Sequence, residues 1–279
     1  MSHTPGNLGL CLVLHDPGYL RPLVNHVRHL QGALGVKFDV LAVVAASSSL
    51  TPVAVRAMCE SQGLLLVDCR QVDDTYFDFS AYREASIYFA AGEHSGVLYV
   101  NDTLIPKHNS PYLLAALSSR ISLVKNIIFD FPLLIGPYRK SEFSFGDASL
   151  DEFVPTFFFY LNAQGVSWFV RLLDEMPVIH QAIMNNDASV IGVDAQLLRF
   201  CRAHALQLRG RYLTNGQVDL RLGRKLTTAY CERVLSARVR SAGLVWYVAG
   251  GLFGRLIVPA QAGWSRLLRR LRAHRVLSQ

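Results

Sequence analysis

In the stretch Val97-Leu98-Tyr99-Val100-Asn101-Asp102-Thr103, four β-favouring apolar residues run into an amide and a carboxylate. Such a run makes a short buried strand, and the polar triplet marks where the backbone leaves the sheet. A carboxylate beside an amide at a strand's C-terminal end suits a hard cation that in turn holds a diphosphate. The same residues equally suit an Asx turn in which Asp102 bonds its own backbone. His15-Asp16 stands just before Pro17-Gly18, and Asp78 and Arg83 share the segment Phe77-Asp78-Phe79-Ser80-Ala81-Tyr82-Arg83-Glu84. Asp194 follows Gly192-Val193, with Asp187 shortly before it. The chain has no GxGxxG, P-loop or GxSxG pattern, which counts against dehydrogenase, kinase and hydrolase chemistry. Its nine histidines form no metal-binding spacing, and its five cysteines show no CxxC, so they read as reduced core thiols.

The elements that must position these residues follow from periodicity. Leu8 to Leu14 reads as a strand, and Leu20 to Leu34 as a helix with Leu20, Leu23, Val24, Val27 and Leu30 on one face. Phe38 to Ala46 predicts a second strand, Pro52 to Gln62 a helix stopped by Gly63, and Leu64 to Val67 a third strand. A polar loop over residues 68–77 then leads to a helix capped by Ser80 and ending near Ala91, before the strand Val97 to Val100. Beyond it, Pro111 to Arg120 predicts a helix, Lys125 to Ile135 and Glu152 to Leu161 strands, and Val166 to Glu175 a helix stopped at Pro177. Strands alternating with helices imply an α/β fold, a mainly parallel sheet sandwiched by helices. With 279 residues and 51% hydrophobic content the chain can bury a large core.

The order of these parts resembles the GT-A fold glycosyltransferases, and in particular the bacterial rhamnan-synthesis enzymes of cell-surface polysaccharides. The resemblance rests on Leu14-His15-Asp16, the Phe77 to Glu84 segment, Tyr99-Val100-Asn101-Asp102-Thr103, the run Thr156-Phe157-Phe158-Phe159-Tyr160-Leu161-Asn162, and the helix start Gly192-Val193-Asp194. It covers roughly residues 8 to 210. It implies that Asn101 and Asp102 occupy the place of an Asp-x-Asp element, with Asp102 as ligand of Mg²⁺ or Mn²⁺ and Asn101 on the nucleotide-sugar donor. It further implies that His15 and Asp16 hold the nucleotide, and that Asp78 and Arg83 touch the donor. Thr103 departs from the pattern, since a second carboxylate is expected there. Asp194 is the candidate general base, because an inverting transfer needs one carboxylate at the acceptor hydroxyl. As an alternative role, Asp194 caps the helix it opens.

Charge divides the chain. From Arg199 onward, 15 Arg and one Lys face only Asp219 and Glu232, a net +14, so the first 198 residues carry −7 of the total +7. Residues 1–210 are therefore read as a GT-A-like catalytic domain and 211–279 as a basic, helical, membrane-associating segment. Within that segment, Ala242 to Val258 is at the lower limit of length for spanning a bilayer. Trp264 to Leu277 interleaves leucines with arginines, as a helix lying on an anionic membrane surface does. A basic helix packed on the domain and, more weakly, nucleic-acid binding are the competing readings. The N-terminus lacks a signal-peptide pattern, and reduced cysteines favour the cytoplasm. The combined expectation is a glycosyltransferase, moving a hexosyl or deoxyhexosyl unit to a lipid-linked surface polysaccharide of O-antigen or capsule type. It would sit on the cytoplasmic face of the membrane. The alternative is an inactive relative that serves as a scaffold in polysaccharide assembly.

Overall fold

The computed structural model describes residues 7–105, 111–140, 148–185, 213–214, 217–218 and 220–248. The N-terminal half is four βα steps: β1 (Leu8–Leu14), α1 (Pro17–Leu34), β2 (Phe38–Ala45), α2 (Pro52–Ser61), β3 (Leu66–Val72), α3 (Asp78–Ala90), β4 (Gly96–Asn101) and α4 (Pro111–Val124). Then come β5 (Leu133–Pro137), β6 (Arg139–Lys140), the short α5 (Ala148–Asp151), β7 (Glu152–Phe153), β8 (Phe158–Asn162) and the long α6 (Ala163–Asn185). The described chain finishes with β9 (Leu213–Thr214), β10 (Gln217–Val218), α7 (Leu220–Ala242) and β11 (Leu244–Val248).

Seven strands form one sheet in the order β3-β2-β1-β4-β8-β5-β11. Every pairing is parallel except those of β8, which runs antiparallel to both β4 and β5. The α/β, mainly parallel, Rossmann-like architecture expected from the sequence is the observed one.

Alternation along β1 builds both halves of the core. Leu8, Leu10, Leu12 and Leu14 face one side and pack with Leu23, Val24 and Val27 of α1, Val55 of α2 and Leu117 of α4. Cys11 and Val13 face the other, with Tyr82 of α3, Phe169 of α6 and Leu226 of α7. Both rows of a central strand are buried, so β1 reads as a continuous apolar run. The loop after it is fixed locally: Asp16 caps α1 by accepting the Gly18 N–H at 2.8 Å, and Pro17 starts the helix. At the far end Gly35 takes a left-handed conformation (φ 60°) that ends the helix.

Several sequence expectations shift. β3 is Leu66–Val72 rather than Leu64–Val67, because its edge position tolerates the polar Asp68, Arg70 and Gln71. Ser80 does not cap α3; its Oγ accepts the Tyr76 N–H from inside the first turn, and Phe77 occupies the cap position. The expected strand from Lys125 shrinks to Leu133–Pro137, since the Lys125 N–H still bonds the Ile121 carbonyl at the end of α4. Glu152 to Leu161 divides into β7, paired with β6, and β8 in the main sheet. The helix expected to stop at Pro177 continues to Asn185, because Met176, Ile179, Ala182 and Ile183 are buried and their packing offsets the lost hydrogen bond.

The largest shift lies beyond residue 210. α7 packs against α6, with Leu222, Leu226, Cys231, Leu235 and Val239 in the core. Its C-terminus turns at Gly243, where the Leu244 N–H bonds the Pro132 carbonyl at 3.0 Å, and β11 adds to β5 as the edge strand. Residues 220–248 thus belong to the α/β body. The expectation of one apolar helix over Ala242 to Val258 is corrected at its start, and ten residues of that stretch remain from Ala249 to Val258, about half of a bilayer span. Among the described residues no helix is long and apolar enough to cross a membrane. The segment from Trp264 lies outside the described residues.

Candidate functional site

β1 and β4 are neighbours in the sheet, and their C-terminal ends bring His15-Asp16 against Asn101-Asp102. In open α/β sheets this edge is where ligands bind. Asp102 is only 2% exposed. Its Oδ2 accepts the backbone N–H of His15 at 2.6 Å and of Asp16 at 2.7 Å, while its own N–H bonds the Val13 carbonyl at 3.1 Å. The carboxylate therefore ties the β1–α1 loop to the end of β4. Burial pushes its pKa above 3.8, and the two amides pull part of the way back.

Asp78, at the first turn of α3, is the second hub. Its Oδ1 meets His15 Nε2 at 2.6 Å and its Oδ2 accepts from Asn101 Nδ2 at 2.7 Å. Asn101 Nδ2 also donates to the Tyr82 hydroxyl at 3.2 Å, and Asn101 Oδ1 accepts from Thr103 Oγ1 at 2.5 Å. Tyr82 OH donates to the Thr156 carbonyl, and Glu232 of α7 accepts from the Thr156 N–H at 3.0 Å and its hydroxyl at 2.6 Å. One network thus links β1, α3, β4, the turn before β8, and α7.

Burial alone would lower the pKa of His15. The hydrogen bond to Asp78 and the charges of Asp78, Asp102 and Asp74 outweigh it, so the imidazole is held above 6.5. His15 and Asp78 keep 28% and 25% of their side-chain surface open, and Asp16 beside them is exposed, so the accessible side of the cluster is here. The cap residue before Asp78, Phe77, has φ 52° and ψ −135°, and no other non-glycine described residue has a positive φ. Strain of this kind persists where surrounding contacts over-determine the backbone, and it collects at functional sites.

Four of the expected site residues, His15, Asp78, Asn101 and Asp102, therefore meet in one hydrogen-bonded cluster, with Asp16 joining through its backbone. Arg83 does not. Five residues after Asp78, it points about 140° round α3 and pairs with Asp174 of α6 at 2.9 Å, half exposed. There it lines a separate cleft of about 460 Å³ with Tyr76, Phe79, Ser80, Leu173 and Met176. Asp194 and Asp187 lie outside the described residues. Tyr82 and Glu232 were not singled out from the sequence, although Glu232 stands out there as one of two acids in a strongly basic stretch.

The implied divalent cation would have to compete for carboxylates that already hold the loops of the cluster together. Asp102 Oδ2 already serves two amides, and both oxygens of Asp78 are engaged by His15 and Asn101. Among the described residues no group of three His, Cys, Asp or Glu is placed to hold a metal. What the cluster offers is acceptor oxygens and an imidazole at a half-buried strand edge, which suit the hydroxyl and N–H groups of a sugar or nucleoside.

No protein-family description matches the chain, and no curated protein matches it. Among solved structures it is similar to the mannosyltransferase PcManGT from Pyrobaculum calidifontis in complex with GDP-Man and Mn²⁺. The identity is 15%, the match covers 94% of this chain and 81% of that one, and the TM-score is 0.37. A likeness of that degree carries no weight for function.

Proposed function

We propose that the chain is a glycosyltransferase that binds a nucleotide-sugar donor in the crevice at the C-terminal ends of β1 and β4. The observation that carries this reading is the His15–Asp78–Asn101 hydrogen-bonded chain, open to solvent at His15 and Asp78 and clamped from beneath by Asp102. Asp78 accepts from donor hydroxyl or base N–H groups and the His15 ring orients them, Asp102 and Asp16 hold the loop that carries His15, and Tyr82 fixes Asn101. Positioning of this kind supplies much of the rate in a transfer whose leaving group departs as an anion. Asp194 is the base in this reading. The acceptor is a lipid-linked surface glycan, met on the cytoplasmic face of the membrane through the basic residues after Val248.

A thermal-shift screen of the full chain against nucleoside diphosphates and nucleotide sugars tests the donor site. Stabilisation by one donor, lost in Asp78→Ala, is the expected outcome; indifference to every donor refutes the reading. A non-catalytic scaffold has one observation in its favour, the commitment of Asp102 to two backbone amides. Turnover of the stabilising donor decides against it.

A further inference from the structure

The crevice is rich in negative charge: Asp74, Asp78 and Asp102 all act on His15. That suits sugar and nucleoside hydroxyls but repels a diphosphate, and the described carboxylates do not form a ready cation site. Some other positive charge must therefore face the phosphates of any donor.

Two cations stand beside the strained turn that leads into Asp78. Lys225 of α7 is exposed, and its Nζ lies 5.4 Å from the centroid of the Phe77 ring. Its neighbour Arg224 is within electrostatic reach of Asp73, Tyr76 and His180, which surround the same turn. The Arg224 Nε is shut off from water without a hydrogen-bond partner, and neither side chain forms an ion pair among the described residues. The Nε itself is out of reach of a ligand, so contact with an oxyanion falls to the rest of the half-buried Arg224 guanidinium and to the exposed Lys225 ammonium.

We propose that Arg224 and Lys225 form a phosphate-binding rim that takes over the charge-neutralising task of a divalent cation for a diphosphate group. The inference rests on the donor reading above. The Phe77 ring positions the ammonium, and Phe77 directly precedes Asp78, so Lys225 stands beside the turn that carries Asp78. Two molecules carry the required chemistry: the nucleoside diphosphate of the donor and the pyrophosphate of a lipid-linked acceptor.

The test is calorimetric binding to the full chain, in chelator and again in Mn²⁺, with UDP, GDP, inorganic pyrophosphate and farnesyl diphosphate as probes. Wild type, Lys225→Gln, Arg224→Gln and Lys225→Arg are compared after their unliganded melting temperatures have been matched. The expected result is nucleoside diphosphate binding that survives chelation, weakens roughly tenfold in each glutamine variant, and recovers in Lys225→Arg, as loss of one charge-assisted contact implies. If instead farnesyl diphosphate alone weakens, the rim stands and serves the acceptor. Nucleoside diphosphate binding that requires Mn²⁺ and is equal in all variants overturns the rim but leaves the donor reading intact. Absence of binding by every probe in either condition overturns both.

Discussion

The Asp102 carboxylate accepts the backbone N–H of His15 at 2.6 Å across 87 residues of chain, joining the ends of two adjacent parallel strands. This makes Asp102 the fastening of the β1–α1 loop, and the loop in turn delivers the His15 ring to Asp78. Position at the strand end gave the residue its reach; burial gave it its partners.

Asp102→Ala should strand two amide donors in a partly buried loop, lowering unfolding stability by at most about 1–3 kcal/mol for each that water fails to reach. Asp102→Asn keeps a carbonyl oxygen in the same place and should lose less. Urea unfolding of both variants checks the order. Equal stability of Asp102→Ala and wild type would remove the fastening role.

His15 supplies a pH signature. Its folded-state pKa is raised above 6.5, so the protonated ring contributes stability that is complete below 6.5 and is lost as pH rises through the raised value. The melting temperature of wild type should therefore exceed that of His15→Gln most at pH 6.5 and below, with the gap narrowing at higher pH. A gap that widens with rising pH would contradict the His15–Asp78 pairing.

Arg83 offers a contrast with its sequence-based assignment. Paired with Asp174 at the surface and bonded to no member of the His15–Asp78 network, it should tolerate Arg83→Ala with a stability change of only about 0.2–1 kcal/mol. Nucleoside diphosphate affinity should be unchanged, whereas Asp78→Ala should reduce it. Isothermal titration of the two variants side by side settles which residue of α3 serves the donor.

The C-terminal boundary can be located by truncation. A chain ending at Ala242 loses β11, whose Val245, Tyr247 and Val248 are buried, at about 1.5–3 kcal/mol for each large apolar side chain. It should aggregate or melt without cooperativity. A chain ending at Val248 should fold, keep donor binding, and lose sedimentation with anionic liposomes, since sequence places Trp264 and the arginines around it beyond that point. Retained sedimentation of the shorter folded form would detach the basic segment from membrane binding.

Sequence by itself placed β1, β2 and β4 closely, because strands buried on both faces must be continuously apolar and their ends must be polar, whereas the half-exposed edge strand β3 lacks that signature and was misplaced. It also placed Asn101 and Asp102 at a strand end, whereas the Asp16 cap starts α1 at Pro17, ahead of the Leu20 that periodicity marked. Tertiary structure alone decided the partners. Asp78 and His15 are 63 residues apart, and no local pattern says that α3 aims its first turn at β1. The same holds for Arg83, whose helix sets it about 140° away from Asp78 whatever segment they share. It also decided the fate of the chain after Leu220. Leu244–Val248 has the composition of either a strand or part of an apolar helix, and the open edge of β5, with Pro132 ready to accept the first hydrogen bond, made it a strand.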